Sequence, residues 1–341
     1  MCWAGHARQR EIDGKMTLPL DRTLKIGINT MLRRTEPATA PWMPTLDELV
    51  EVVQQVDRLG FDSFWSGDHI AFAIPFLDPI TQIAQAAVVS KRLTFGTAVF
   101  LLPLRHPMPV AKQIATLDHL TGGRFVFGVG IGGEFPKEYE GCGVPINERG
   151  PRLSEGIEVV RKLWTGETVS HDGRFYSFKD VKMTPAPRQP GGPPIWCGGR
   201  SEAALKRAAR LADGWFSYAV SPEMFAKGLI TINAAAQEAG RKLERFGTAH
   251  LMFTRIGDSY ERALDEAAES LSVRYAMNMR PAAERYGAIG TPAQVAEKIR
   301  AFHAVGVRHL SLDLVGPYER RGEQLEHFAA EVRPLIKDLT E

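Results

Sequence analysis

Two adjacent residues carry the sharpest chemical suggestion in the chain, Asp68 and His69, at the end of GFDSFWSGDH. A histidine takes or gives a proton near neutral pH, or donates a hydrogen bond to a ring nitrogen or oxygen. The aspartate beside it need not touch it, because successive side chains on a strand face opposite ways. The plainer reading is one polar turn residue and one satisfied histidine. A second feature is the glycine run Gly128-Val129-Gly130-Ile131-Gly132-Gly133, which contains the spacing G-x-G-x-x-G. A dinucleotide fingerprint belongs on the first strand of a βαβ unit, with a helix opening at its third glycine. Here the run follows a later strand, and Glu134-Phe135-Pro136 is expected to start no helix. A glycine-turned loop and close approach of bare backbone to a flat ring are the readings left open. The third feature is Gly198-Gly199-Arg200-Ser201, between a short apolar strand and a helix. Free N–H groups at a helix start attract anions, so this loop is expected to hold phosphate. Ser201 would cap the helix, with or without a bond to the anion. His106 and His119 are weaker, and His119 reads as structural. No His/Cys/Asp/Glu spacing suggests a metal. No G-x-S-x-G elbow or Cys/His pair suggests acyl transfer.

The elements that must position these residues alternate. Leu24 to Thr30 reads as a strand. The loop Pro37 to Pro44 follows, and Thr45 caps a helix with Glu48 completing a capping box. Phe61 to Trp65 is the second strand and ends at Asp68-His69, and Pro79 to Ser90 is helical. Leu93 to Leu102, Pro107 to Leu120 and Phe125 to Val129 read as strand, helix and strand, with Gly122-Gly123 ending the helix. The alternation is then interrupted by a loop to Pro145, a helix from Arg149 to Trp164, a hairpin at Thr168 to Phe178 and a Pro/Gly-rich excursion. It resumes with strands at Pro194 to Cys197, Gly214 to Ser217, Thr248 to Arg255 and Val307 to Leu314. Helices are expected after each, including one opened by Thr291-Pro292 and a last one from Glu319 to Leu335. Eight β-then-α units argue for an α/β fold of the closed (β/α)8 TIM-barrel kind, with an insertion after strand four at about residues 134–193. Chemistry in such a barrel sits at the C-terminal ends of the strands, where all three features fall. Strands six and seven would add Ser217-Tyr218 and Arg255 there.

The totals fit one such domain over residues 24–341. Residues 1–23 mix charges and glycine without an apolar core and read as a loosely ordered leader. The chain has 341 residues, 44% hydrophobic and 24% charged, and a formal net charge of +2. That balance gives no reason to expect a nucleic-acid or membrane partner. No apolar run reaches the ~18 residues that a membrane helix needs. Cys2, Cys142 and Cys197 are scattered, which argues against a disulfide framework and suits a reducing cytoplasm.

Several long blocks together resemble the luciferase-like monooxygenase superfamily, in particular its flavin- and deazaflavin-dependent oxidoreductases. They are GFDSFWSGDH, RLTFGTAVFLLPLRHP, AKQIATLDHLTGGRFVFGVGIGG, GVPINERGPRLSEGIEVVRKLW, PPIWCGGRSEAALKRAARLADGW and GTPAQVAEKI, covering about residues 24–315 in order. The resemblance implies a TIM barrel that binds FMN or coenzyme F-420 at its mouth. It implies hydride transfer or monooxygenation of a small organic substrate. Ala98-Val99 would be a cis peptide backing the ring, Gly130 and Gly132 would border the cofactor, and Gly198, Gly199, Arg200 and Ser201 would hold its phosphate. Asp68 and His69 match the pair beside the ring, with His69 transferring a proton or bonding the ring. Arg105, Lys206 and Arg207 would serve phosphate or an anionic tail. The segment 134–193 would help to cover the substrate. A homodimer is implied, with a separate flavin reductase or dehydrogenase supplying reduced cofactor. The rival readings are a non-catalytic flavin-binding barrel subunit and an unrelated TIM-barrel enzyme acting on a phosphorylated metabolite.

Overall fold

A computed structural model describes residues 20–29, 44–72, 74–133 and 135–341. The expectations for residues 1–19, Thr30, most of the Pro37 to Pro44 loop and Glu134 lie outside these residues. In chain order the strands are β1 (Lys25–Asn29), β2 (Ser63–Ser66), β3 (Thr94–Thr97), β4 (Phe125–Val129), β5 (Thr168–Asp172), β6 (Ser177–Lys182), β7 (Ile195–Gly198), β8 (Gly214–Tyr218), β9 (Gly247–Ile256), β10 (Ala288–Gly290) and β11 (His309–Leu314). Eight of them pair in parallel in the ring order β9-β11-β1-β2-β3-β4-β7-β8, and β8 pairs back to β9. The barrel is therefore closed, and β5 and β6 form a separate antiparallel hairpin.

The barrel strands are almost wholly buried, because both faces are covered. Inside, Trp65 stacks on Trp196 at 5.5 Å and meets Phe216 edge-on at 5.2 Å. These large rings fit because neighbouring strands carry glycine beneath them. A Cβ on Gly96 would lie 2.2 Å from the Trp65 ring, and one on Gly247 would lie 2.4 Å from Trp196. The barrel interior is thus a packed core rather than a channel.

The helices are α1 (Leu46–Arg58), α2 (Pro79–Val89), α3 (Pro107–Leu120), α4 (Pro136–Gly141), α5 (Arg149–Trp164), α6 (Glu202–Leu211), α7 (Pro222–Glu238), α8 (Tyr260–Tyr275), α9 (Arg280–Tyr286), α10 (Pro292–Ala304), α11 (Arg321–His327) and α12 (Lys337–Thr340). The expected capping box forms at Thr45/Glu48, and the Thr291 cap is completed by Gln294 as a second box. Such caps contribute about 1 kcal/mol each. In the interrupted stretch, α5 packs between α3 and α6 as part of the outer ring, and the hairpin lies against α5. Three details differ from the sequence expectation. A short helix, α4, opens at Pro136, where a loop was expected. A proline at the first helical position needs no N–H partner, which favours this start. The excursion α8–α9 returns as β10, which adds to the C-terminal half of β9. The last helix is broken by a π turn at Phe328–Val332 and a 3-10 turn at Arg333–Ile336, where Pro334 lacks the N–H that a regular helix uses.

Candidate active site

A cavity of about 540 Å³ opens at the C-terminal ends of the barrel strands. Ten of the residues singled out from the sequence line it: Asp68, His69, Ala98, Val99, Gly130, Gly132, Gly198, Gly199, Arg200 and Ser201. One wall comes from β3, β4 and β7. The Ala98-Val99 peptide there is cis, as the resemblance implied. The glycines around it answer to that peptide unit. A Cβ on Gly130 would lie 2.4 Å from Val99 Cγ2, one on Gly198 3.0 Å from Val99 Cγ1, and one on Gly128 1.9 Å from the Thr97 carbonyl. The first two glycines of the G-x-G-x-x-G spacing therefore record close packing of β4 on β3, whereas Gly133 has a positive φ and faces Arg149.

At one end of this wall lies the start of α6. Ser201 caps it, its hydroxyl accepting from the Ala204 amide at 3.3 Å. Arg200 reaches over the loop and donates to the Ala219 carbonyl at 2.7 Å. Arg149, the first residue of α5, also lines the cavity and donates to the Ile146 carbonyl at 2.9 Å. Arg149 Nε is buried without a hydrogen-bond partner among the described residues. Neither Arg149 nor Arg200 pairs with a carboxylate among the described residues. The three cations expected to serve an anion lie elsewhere. Arg105 is committed to Asp68, Lys206 pairs with Glu202, and Arg207 bonds Ser154. None of the three lines the cavity.

Asp68 and His69 are held by different partners. Asp68 is 3% exposed, and both its carboxylate oxygens accept from Arg105, at 2.5 and 2.9 Å. Its Oδ2 also accepts from the Leu101 amide at 2.8 Å, which ties the end of β2 to the chain after β3. Burial pushes the Asp68 carboxyl up, and Arg105 and the Leu101 amide pull against that shift. The His69 ring stacks on Phe72 at 3.9 Å, and its Nδ1 lies 3.0 Å from Glu138 Oε2. Glu138, on α4, is 1% exposed and also accepts from the Ile70 and Ala71 amides at 2.6 and 3.1 Å. Burial alone would raise this carboxyl. The bond and charge of His69, with the two amides, outweigh burial and hold it below the ordinary value. An ionised carboxylate only accepts, so Nδ1 carries the hydrogen and Nε2 is left for another partner.

The rest of the lining comes from β1, β8, β9, β11 and α8. Arg274 and Asp313 form a buried pair at 2.5 Å. Burial alone would weaken the charge on Arg274, but Asp313 raises its pKa, so the guanidinium stays charged. Tyr218 donates to the Tyr275 hydroxyl at 2.6 Å. Arg255, expected at the mouth, instead turns to Glu266 and does not line the cavity. His106 caps α3 and His119 bonds the Ala186 carbonyl, both structural uses. Of the described residues in 135–193, Arg149 alone lines the cavity. Sequence reasoning missed Glu138, Arg149, Arg274, Tyr275 and Asp313. Asp313 had a signal, as the one acidic residue within the apolar strand HLSLDL. Glu138 and Arg274 had none.

The profile of the family described as luciferase-like monooxygenase matches residues 24–309, and the chain belongs to that family. An uncharacterised protein of Mycobacterium tuberculosis is 42% identical over 167 residues, 49% of this chain and 57% of that protein. The match thus spans little more than half the length of that relative. An F420-dependent glucose-6-phosphate dehydrogenase of Nakamurella multipartita is 27% identical over 82% of this chain and 91% of its own. The oxygenase component of a flavin-dependent trigonelline monooxygenase of Acinetobacter baylyi is 27% identical over 86% of this chain and 90% of its own. Among solved structures, monooxygenase RslO1 from Streptomyces bottropensis superposes with a TM-score of 0.78 at 26% identity. It covers 91% of this chain and 99% of that one.

Proposed function

We propose that this protein is an oxidoreductase that binds reduced FMN or coenzyme F-420 in the mouth cavity and acts on a small organic molecule. The observation that carries this reading is the convergence of these ten residues on one cavity. Relatives whose names specify F420 or flavin support the same cofactor class. The donor set fits such a group. The bare wall of Ala98, Val99, Gly130 and Gly132 suits a flat ring. The α6 N-terminus with Gly198, Gly199, Arg200 and Ser201, joined by Arg149, suits a phosphorylated tail. The bound cofactor would supply a hydride or, as a reduced flavin, the means of activating oxygen.

This chain's own residues would do the rest. His69, held by Glu138 through Nδ1, presents Nε2 for proton transfer or for a bond to the ring. Asp68 acts by position, because Arg105 and the Leu101 amide occupy its carboxylate. The loop after β2, carrying Phe72 and Phe76, would exclude water from the mouth, together with α8. We also read the protein as a cytoplasmic homodimer fed by a separate reductase or dehydrogenase. The phrase "oxygenase component" in the name of one relative supports such a supplier, and the free thiols of Cys142 and Cys197 suit a reducing compartment. Among the described residues no helix is long and apolar enough to cross a membrane.

The test is the absorption spectrum of cofactor retained on purification or after titration with FMN and F-420. A flavin or deazaflavin spectrum supports the reading, and retention of neither refutes it. His69→Ala is expected to keep cofactor binding and lose turnover.

A further inference from the structure

The strand order divides the cavity into two unlike walls. In a ring of eight strands, those four places apart face each other. β11 therefore faces β4, β1 faces β7, and β9 faces β3. The bare wall of β3, β4 and β7 has Asp313 of β11, Asn29 of β1 and Leu251 of β9 across from it. α8 adds Arg274 and Tyr275 to that far side.

We propose that this far wall selects an uncharged, flat, carbonyl-bearing substrate and disfavours anionic ones such as sugar phosphates. This deepens the reading above and rests on it for the placement of cofactor on the bare wall. Charge comes first. Arg274 and Asp313 are 5% and 2% exposed, and their bonds run at 2.5 and 3.3 Å. The pair is neutral overall and buried. An anion placed against it meets Asp313, and a cation meets Arg274, in a low-dielectric site where such contacts are costly. The two arginines free of carboxylate partners among the described residues, Arg149 and Arg200, belong to the α5 and α6 end and not to this wall. Hydrogen bonding comes next. The Tyr218 and Tyr275 hydroxyls are bonded at 2.6 Å, and with Tyr218 as the donor the Tyr275 hydrogen serves an acceptor oxygen of the substrate. Shape comes last. Phe216 and Tyr218 of β8, beside β9, add aromatic surface at the edge of this wall, and Phe72 reaches Tyr275 across the mouth with ring centroids 6.3 Å apart. Rings of this kind favour a flat apolar body.

Binding of coumarin, coumarin-3-carboxylate and glucose 6-phosphate to the cofactor-loaded protein, followed by calorimetry, tests this wall. Coumarin should bind at least tenfold more tightly than either anion. Tyr275→Phe should weaken coumarin roughly tenfold, as loss of one hydrogen bond does, while cofactor affinity stays unchanged. Tighter binding of an anion, no coumarin binding, or coumarin affinity within twofold in Tyr275→Phe would each overturn the proposal. Cofactor titration is read separately. Failure to bind FMN or F-420 sinks the cofactor reading, while the same three ligands, added to the cofactor-free protein, still judge the wall.

Discussion

Replacing Glu138 by glutamine keeps the shape of a fully buried side chain and removes its charge. In the native protein this carboxylate accepts three hydrogen bonds, from His69 Nδ1, the Ile70 amide and the Ala71 amide, at 3.0, 2.6 and 3.1 Å. A carboxamide has one acceptor oxygen and one NH2. If the oxygen stays with the two amides, the NH2 faces His69 and cannot accept from Nδ1. The imidazole must then move its hydrogen to Nε2 or turn away. In the neutral ring Nε2 changes from an acceptor to a donor, or leaves its position. A hydrogen bond to a charged group contributes about 1.5–3 kcal/mol. At about 1.4 kcal/mol per tenfold, its loss corresponds to a roughly 10- to 150-fold fall in a step that uses Nε2. Two measurements check this. Long-range proton–nitrogen correlation of the histidine rings should show His69 hydrogen on Nδ1 in the native protein and displaced in Glu138→Gln. Stopped-flow oxidation of bound reduced cofactor by substrate should slow by the same factor, with cofactor affinity unchanged. An unaltered His69 tautomer together with turnover within twofold of native would refute the reasoning.

Two further expectations follow from packing and burial. Gly130→Ala places a Cβ 2.4 Å from Val99 Cγ2, so cofactor retention should fall at least tenfold, and adding Val99→Ala should restore much of it; no rescue in the double variant, by titration, would show that the two residues do not share the wall. His250 is wholly buried and His309 half-buried, and burial pushes their pKa values down to about 3 and about 4 from the ordinary 6.5. Their contribution is complete above the unfolded pKa and is lost as the pH falls below it, because the unfolded chain takes up protons that the folded chain refuses. Denaturation midpoints between pH 7 and 5 should fall, approaching about 1.4 kcal/mol per pH unit for each histidine at the acid end, and equal stability at pH 7 and 5 would contradict this.

The barrel was legible because parallel strands covered on both faces are written as short apolar runs with helix-length spacers. Phe125–Val129 and Pro107–Leu120 begin and end in the structure where the sequence places them. The glycine and GGRS loops were legible for a related reason: both follow directly from strand ends. What sequence could not give was partnership across loops. Arg105 looked like a free cation and is the counter-ion of Asp68. Glu138 looked like one acidic loop residue among several and proved to be the support of His69. Arg274 lies on a helix that had no reason, in one dimension, to cross the barrel mouth. Such pairings depend on how loops from distant strands meet, and no local periodicity encodes them.

The Glu138 carboxylate also bears on how this fold can change over generations. One side chain from the β4 loop satisfies a ring and two amides of the β2 loop, segments 67 to 69 residues apart in the chain. Neither loop is then free to drift alone. A new β2 loop must arrive with a matching acceptor from the β4 side, and a lost acceptor leaves two amide donors without their partner. Positions 69 and 138 should therefore vary together among descendants of this chain. A recombinant that exchanges one loop without the other should fold around an unsatisfied pair of amides.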